Sequence, residues 1–402
     1  MKCCLIGKTL KHSYSKIIHD CFNEYSYELV ELKEEQVKDF AQKKEYDAFN
    51  GTIPYKEKIM EFLDVIDPFA IEIGAVNTVV NKNGKLYGYN TDFFGVEYML
   101  NSIGLDVNNK NIMILGSGGT SKTVRSVCKH LKAKSVIVVS RTGEINYQNC
   151  YNFPVDIIIN TTPVGMYPNS YITPIDLDKF VNLEGVVDVI YNPQTTLICQ
   201  HAKEGNIKNV NGLTMLVAQA KRARDLFLDN VGDDALIQNT VKKIIKSTQN
   251  LYLIGMAGSG KTTIGKELSR FAGKEFYDTD EEIIRRLNLT IPEIFEKYGE
   301  EHFRKVESEV LKELSNKRGV IIATGGGIVV NEENFYPIKL NGVAIWIKRD
   351  VNCLDLSGRP LSKDKQTVKN LYLQRIPLYA KFADFEVYNN TVSNAVKEII
   401  DL

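Results

Sequence analysis

Two glycine-rich turns, each directly behind a short apolar run, constrain this chain more than any other feature: "ILGSGGTSK" at residues 114–122 and "LIGMAGSGKTTIG" at residues 253–265. A strand that passes through glycines into a helix exposes unpaired backbone N–H groups at the positive end of the helix dipole, a site made for anions. Two such units on one polypeptide call for two parallel α/β layers. The length agrees, since 402 residues at about 150 per domain suggests two or three units.

The surrounding pattern is read the same way. "CCLIG", "KIIHDCFNEY" and "YDAFNGTIP" alternate strand and helix signals, and Asn83-Gly84 predicts a tight hairpin, so the first hundred residues form a small α/β unit. From Asn111, "NIMIL", "KTVRSVCKHL", "SVIVVS", "VDIIIN" and "GVVDVI" predict a doubly wound parallel sheet. "LTMLVAQAKRARDLF" is helical by spacing, and the polar "KSTQN" at 246–250 sets a boundary before the next strand, "LYLIG". Beyond it, "GVIIAT" and "GVAIWI" alternate with helices, including "EEHFRKVESEVLKEL" with Phe303, Val306, Val310 and Leu314 on one face.

Composition narrows the function classes. Lys+Arg and Asp+Glu both number 50, so no net charge favours nucleic acid or an acidic membrane. The opening "MKCCLIGKTLKHSYS" is too quickly interrupted by lysines for a secretory signal, and no run of about 18 apolar residues occurs. Seven scattered cysteines without a C-x-x-C pair point to reduced thiols in a cytoplasmic protein rather than zinc or disulfides. Five dispersed histidines give a histidine-based triad little support.

The later turn, Gly255-x4-Gly260-Lys261-Thr262, has the spacing of a P-loop in the required strand-to-helix context. Gly258, Ser259, Gly260 and Thr263 would curl around a polyphosphate, Lys261 would reach its outer phosphates, and Thr262 would ligate Mg²⁺. In "FYDTDEE", Asp278 and Asp280 lie two apart at a strand end and so face opposite sides, one toward the metal and one toward an acceptor hydroxyl. The alternative, taken by itself, is that they are surface acids ahead of a helix, and Arg304 with Glu307 a solvated i,i+3 pair.

In order, "GMAGSGKTT", "FYDTD", "FRKVESE", "ATGGGIV", "GRPL" and "QRIPLY" resemble the shikimate kinase family over about 150 residues. The resemblance implies ATP and Mg²⁺ as cofactors, with Thr262 and Asp278 at the metal. It also implies that Asp280 binds the shikimate hydroxyls and assists proton removal, while Arg304, Gly326 within Gly325–Gly327, and Arg375 hold the ring and carboxylate. Arg359 would lie on a lid over ATP. The stretch 349–366 is shorter than the usual lid, and "VYNNTVSN" lacks the late arginine that often contacts adenine.

The earlier turn reads Gly116-x-Gly118-x-x-Ser121, a weak dinucleotide fingerprint when taken alone. Ser140, Arg141 and Thr142 follow the next strand where an NAD site would place an acid, which favours the 2′-phosphate of NADP. "LIGKTLKHSYSKIIHD", "FNGTIPYKEKI", "IGAVNTVV", "YNTDFFG", "ILGSGGTSK", "VSRT", "IINTTPVGM", "DVIYNPQTT" and "NGLTMLVAQA" recur in an order that resembles shikimate dehydrogenase over residues 1–240. The resemblance implies that Ser13 and Ser15 bind the substrate carboxylate and that Thr52, Asn77 and Gln219 bond the ring hydroxyls, with Tyr191 also at the substrate. Lys56 and Asp92 form the catalytic pair. Gly116, Ser117, Gly118, Gly119, Thr120, Ser140, Arg141, Thr142, Val189 and Gly212 would surround NADPH. Singly, these residues are as readily caps, turn stabilisers or surface positions. Only fourteen residues separate Arg141 from Asp156, where the family usually runs a full helix.

The expected architecture is therefore α/β throughout: a substrate domain (about 1–105 plus 215–240) and a Rossmann-type NADP domain (about 106–214), a linker at 246–250, and a P-loop parallel-sheet domain at 251–402 that resembles nucleoside-monophosphate kinases. The implied chemistry is reduction of 3-dehydroshikimate followed by phosphorylation of shikimate, with small-molecule partners only. The alternatives are a fusion in which one half serves only binding or assembly, and a P-loop switch with a dinucleotide-sensing module.

Overall fold

The first strands are laid down as the alternating pattern requires. β1 (Lys2–Gly7), β2 (Ser26–Glu31), β3 (Ala48–Gly51), β4 (Val65–Ile66), β5 (Thr78–Lys82) and β6 (Lys85–Tyr89) form a sheet of order β2-β1-β3-β5-β6-β4. Its β1, β2 and β3 run parallel, while β5 pairs antiparallel with both β3 and β6. Asn83 and Gly84, at φ 54° and 80°, make the two-residue turn between Lys82 and Lys85, the conformation a tight hairpin demands. Cys4, Ile6, Phe49, Tyr55 and Val79 fill one side of this sheet. The computed structural model describes residues 1–10, 13–354 and 365–402.

The second sheet is wholly parallel. β7 (Asn111–Leu115), β8 (Ser135–Val139), β9 (Ile157–Asn160), β10 (Gly185–Asp188) and β11 (Lys208–Val210) run in the order β11-β10-β9-β7-β8. β8 and β9 flank β7 on opposite sides, so the chain reverses direction across the sheet just where the first glycine turn leaves β7. β9 and β10 are buried at every position, which explains the unbroken apolar runs of the sequence. The helix Gly212–Leu228 turns back onto the helix Asp92–Ser102. Gly95 permits the approach, because a Cβ there would lie 2.8 Å from the Met215 carbonyl and 3.1 Å from the Gln219 Cβ.

A third sheet, β12 (Asn250–Ile254), β13 (Phe276–Asp278), β14 (Ile321–Ala323), β15 (Gly342–Lys348) and β16 (Phe385–Tyr388), has the order β13-β14-β12-β15-β16 and is also all parallel. The helical segment Ile291–Ser315 is kinked at Gly299 (φ 82°, ψ 171°), and Phe303, Val306, Val310 and Leu314 are buried beneath it as the spacing requires. By contact, the chain divides into one unit of Met1–Asn192 with Thr196–Ile244, and another of Ile245–Leu402 with Pro193–Thr195.

Two local expectations change. Residues 246–250 are not an extended connector: the helix Ala235–Thr248 runs into them and β12 begins at Asn250, leaving only Gln249 between the two. Lys246 and Ser247 are polar because they lie exposed in the last helical turn, whereas Asn250 is buried and donates to the Lys317 carbonyl. Nor does Asp280 lie on a strand. β13 stops at Asp278, whose side chain caps the helix Thr279–Leu287 through the N–H groups of Asp280 and Glu281, so the period of two ends there.

Candidate active sites

In the first unit a polar group collects where β3, β5 and three helices meet. Lys56, in the short helix Tyr55–Lys58, places its Nζ 2.6 Å from Oδ2 of Asp92, which opens the helix Asp92–Ser102. The two side chains are 28% and 14% exposed, so the pair is within reach of a ligand yet shielded from bulk solvent. Partly exposed pairs contribute only about 0–1 kcal/mol to stability; the significance of this one lies in position.

Asn77 stands beside the pair and is nearly inaccessible. Its Oδ1 accepts from the Thr91 N–H at 2.8 Å and from the hydroxyls of Thr78 and Thr91, leaving Nδ2 to face Gln219 Oε1 at 3.4 Å. Gln219 is half-buried: it is brought here by the Gly95 helix contact and steadied by its Nε2 donating to the Leu216 carbonyl. Thr52 follows β3, with its N–H on the Ile6 carbonyl. Ser13 accepts from the Ser15 N–H at 3.2 Å at the start of the helix Ser15–Phe22. Between them Tyr14 meets Tyr191, ring centroids 5.1 Å apart.

The dinucleotide-type turn has the required openness. Gly116 adopts φ 100° and approaches Thr161 and Thr162 so closely that a Cβ would sit 3.0 and 2.9 Å from their side chains. Gly118 and Gly119 have nothing within 4 Å of a would-be Cβ, and with Ser117 they lie exposed at the start of the helix Gly119–His130, followed by the half-buried Thr120. Ser140 follows β8, with Arg141 and Thr142 exposed after it, and the path to β9 holds bends, a turn and the short 3-10 helix Cys150–Asn152 instead of a full helix. Gly212 packs against Val189, where a Cβ would lie 1.9 Å from the carbonyl oxygen.

One residue here was not singled out from sequence. Asp188, at the end of β10 and wholly buried, accepts from Asn160 Nδ2 (3.1 Å), the Ile190 N–H (3.0 Å) and Thr196 Oγ1 (2.7 Å). Asn160 in turn receives the N–H and hydroxyl of Thr162, the neighbour of Gly116. The carboxylate therefore ties together the loops that wall the glycine turn. Burial pushes it up to about 6 against these hydrogen bonds.

In the second unit Gly255 (φ 138°) lets the Ile347 carbonyl approach within 2.5 Å of a would-be Cβ, and Gly260 (φ 96°) starts the helix Lys261–Ala272. Lys261 Nζ donates to the carbonyls of Gly255 and Met256, both at 2.8 Å. Thr262 Oγ1 donates to Asp278 Oδ2 at 2.7 Å, while the other Asp278 oxygen caps the next helix. A cavity of about 260 Å³ is lined by Gly258, Lys261, Thr262, Thr263, Asp278 and Asp280, among others. Ser259 is buried under the turn.

The glycine run Gly325–Gly327 is pressed among charged side chains and the P-loop backbone. Cβ atoms would lie 2.5 Å from Glu307 Oε1 and 2.8 Å from Asp280 Oδ1 at Gly325, 2.7 Å from the Ala257 nitrogen at Gly326, and 2.2 Å from Arg304 Nη1 at Gly327. Arg375 Nη1 and the Tyr379 hydroxyl both donate to the Gly326 carbonyl, at 3.1 and 2.5 Å. Arg304 and Glu307 are no solvated pair. Glu307 is 1% exposed, takes Arg304 Nη1 at 2.7 Å on Oε2, and keeps Oε1 without a hydrogen-bond partner among the described residues. Its carboxyl is raised by burial, with the Arg304 and Arg375 charges pulling the other way. The signal available in sequence was its place one turn after Phe303 on the apolar face. Arg359 lies outside the described residues.

A parallel sheet with an open glycine turn at its reversal point has the form of a dinucleotide-binding domain, and the second unit, with its P-loop between β12 and a helix, has the form of a P-loop kinase. The family model described as "Shikimate dehydrogenase substrate binding domain" matches residues 5–79, and that described as "Shikimate kinase" matches residues 257–402. The shikimate dehydrogenase (NADP(+)) of Caldicellulosiruptor bescii is 38% identical over 281 residues, 63% of this chain and 96% of that protein. That of Methanococcus maripaludis is 40% identical over 246 residues, 54% of this chain and 87% of its own. A solved chorismate mutase/shikimate 5-dehydrogenase fusion protein from Clostridium acetobutylicum is similar with TM-score 0.58 and 34% identity, covering 60% of this chain and 96% of that one. The chain belongs to the shikimate dehydrogenase family and carries a shikimate kinase domain after it.

Proposed function

We propose that one polypeptide carries out two consecutive reactions: reduction of 3-dehydroshikimate to shikimate with NADPH in residues 1–245, and phosphorylation of shikimate from Mg·ATP in residues 251–402. The observation that carries this reading is that both reactive constellations, Lys56 with Asp92 and Thr262 with Asp278 and Asp280, are assembled in the same chain.

In the first reaction NADPH supplies the hydride when bound. Gly116, packed against Thr161 and Thr162, turns the chain so that Ser117, Gly118, Gly119 and Thr120 face a pyrophosphate, with open space at Gly118 and Gly119, and the exposed Arg141 with Ser140 and Thr142 offers a cation and hydroxyls to a 2′-phosphate. Val189 and Gly212 shape the far wall. Ser13 and Ser15 hold the substrate carboxylate, while Thr52, Asn77, Gln219 and Tyr191 orient the ring. Lys56, held by Asp92, donates a proton to the oxygen that gains charge at the reduced carbon and recovers it in the reverse direction.

In the second reaction Mg·ATP supplies the phosphoryl group when bound. The oxygens of Thr262 and Asp278 are hard ligands suited to Mg²⁺, which keeps several waters and needs few protein groups. Asp280 accepts the proton of the attacking hydroxyl. Arg304, Gly326 and Arg375 hold the carboxylate and ring, and Glu307 Oε1, without a hydrogen-bond partner among the described residues, accepts a hydrogen bond from a ring hydroxyl.

Single-site variants test the division. Lys56→Ala is expected to abolish NADPH oxidation and leave phosphorylation of supplied shikimate intact, and Asp280→Asn to do the reverse. Loss of both activities from either change in a folded protein would overturn the two-site reading.

A further inference from the structure

We propose that Arg349 is a polyphosphate-binding residue of the second unit, an inference that rests on the ATP-site reading above. β15 pairs in parallel with β12, Trp346 opposite Ile254, so the two strand ends deliver their following residues side by side. Arg349 is the first residue beyond β15, and the P-loop begins just beyond β12. The close approach of Ile347 to Gly255 fixes this strand end against the loop.

From there Arg349 lines the same cavity as Gly258, Lys261, Thr262, Asp278 and Asp280. It is half-buried, and its hydrogen bond within the described residues, Nη1 to the Gly258 carbonyl, is at the 3.5 Å limit. A guanidinium carries five donors, so most of its capacity faces the cavity unspent in protein contacts of this strength. That is poor design for a structural clamp and good design for an incoming anion.

Charge points the same way. Among the described residues lining the cavity, Asp278 and Asp280 supply two negative charges, and Lys261 and Arg349 supply two positive ones. Lys261 is drawn back onto two loop carbonyls. Without Arg349 that lining would carry net negative charge toward a polyphosphate.

The test uses the full chain and calorimetric binding of Mg·ATP, AMP and inorganic tripolyphosphate to wild type, Arg349→Gln and Arg349→Lys. Arg349→Gln is expected to weaken ATP and tripolyphosphate about 10-fold or more and AMP much less. Arg349→Lys should restore part of the loss, and the shikimate and NADPH constants should not move. Equal weakening of AMP and ATP would mean a base contact or a distorted loop, and would overturn the proposal. So would unchanged binding of ATP and tripolyphosphate by Arg349→Gln. If wild type itself bound neither, the ATP-site reading would fall and this inference with it; if wild type bound both and Arg349→Gln bound them equally, only this inference would fall.

Discussion

Gly327→Ala isolates the contribution of one guanidinium to substrate binding. Gly327 has φ −103° and ψ 4°, a conformation open to any residue, so the backbone does not resist a methyl group. The obstacle is Arg304, whose Nη1, Nη2 and Cζ would lie 2.2, 2.4 and 2.5 Å from the new Cβ. Ordinary contact begins near 3.4 Å, so the guanidinium must retreat by about 1 Å. It is the end of a long side chain and can do so, at the expense of its 2.7 Å bond to Glu307 and of the contact proposed above with a substrate carboxylate. A charge-assisted contact is worth roughly 1.5–3 kcal/mol. At about 1.4 kcal/mol per tenfold, kcat/KM for shikimate should fall between ~10- and ~150-fold.

The assay follows ADP release at varied shikimate and saturating ATP, then at varied ATP, with NADPH oxidation as an internal control. The expected result is a kinetic loss confined to the shikimate dependence, with KM for ATP and dehydrogenase activity unchanged, and a lowered melting temperature, because the buried Glu307 loses its guanidinium partner. The Gly→Ala change also reduces unfolded-chain entropy, which favours the fold slightly. An unchanged kcat/KM for shikimate would refute the placement of Arg304 at the substrate.

Further outcomes follow from the first unit. Gly212→Ala would bring a Cβ to 1.9 Å from a backbone carbonyl, which no side-chain motion relieves, so KM for NADPH should rise at least several-fold with phosphorylation of supplied shikimate spared. Nucleotide titration of the two activities checks this. Asp188 makes stability depend on pH in an unusual sense: its folded carboxyl is pushed up to about 6, above its unfolded value, so the native state holds the extra proton between the two. Its contribution is greatest below the unfolded value and is lost as pH rises through about 6, on the order of 2–3 kcal/mol in all. Denaturant midpoints of wild type and Asp188→Asn should therefore diverge progressively from pH 4 to 7, with wild type losing ground; parallel curves would exclude the carboxylate as the source.

The parts of the site legible in sequence are those in which one short segment does the chemistry. The two glycine turns announce themselves because only glycine tolerates φ 100° at Gly116 or 138° at Gly255 with a neighbour so close. Lys56 and Asp92, 36 residues apart, carry no local mark, and only the family pattern joins them. Asp188 looks like one more residue in the strand run "GVVDVI", and its three hydrogen bonds come from partners no periodicity reveals. Asp280 was placed on the wrong element because Asp278 acts as a cap, a choice decided by two backbone N–H groups. Arg349 carries no sequence mark for a related reason: its position depends on β15 lying beside β12, which is topology rather than pattern.

The most direct measurement supplies the full chain with 3-dehydroshikimate, NADPH, ATP and Mg²⁺ and follows NADPH, ADP and products together. The expected result is one shikimate 3-phosphate and one ADP for each NADPH oxidised, with shikimate as the intermediate. Oxidation of NADPH with shikimate accumulating and no phosphate ester formed, or no turnover by a folded chain, would contradict the claim that both sites act in sequence.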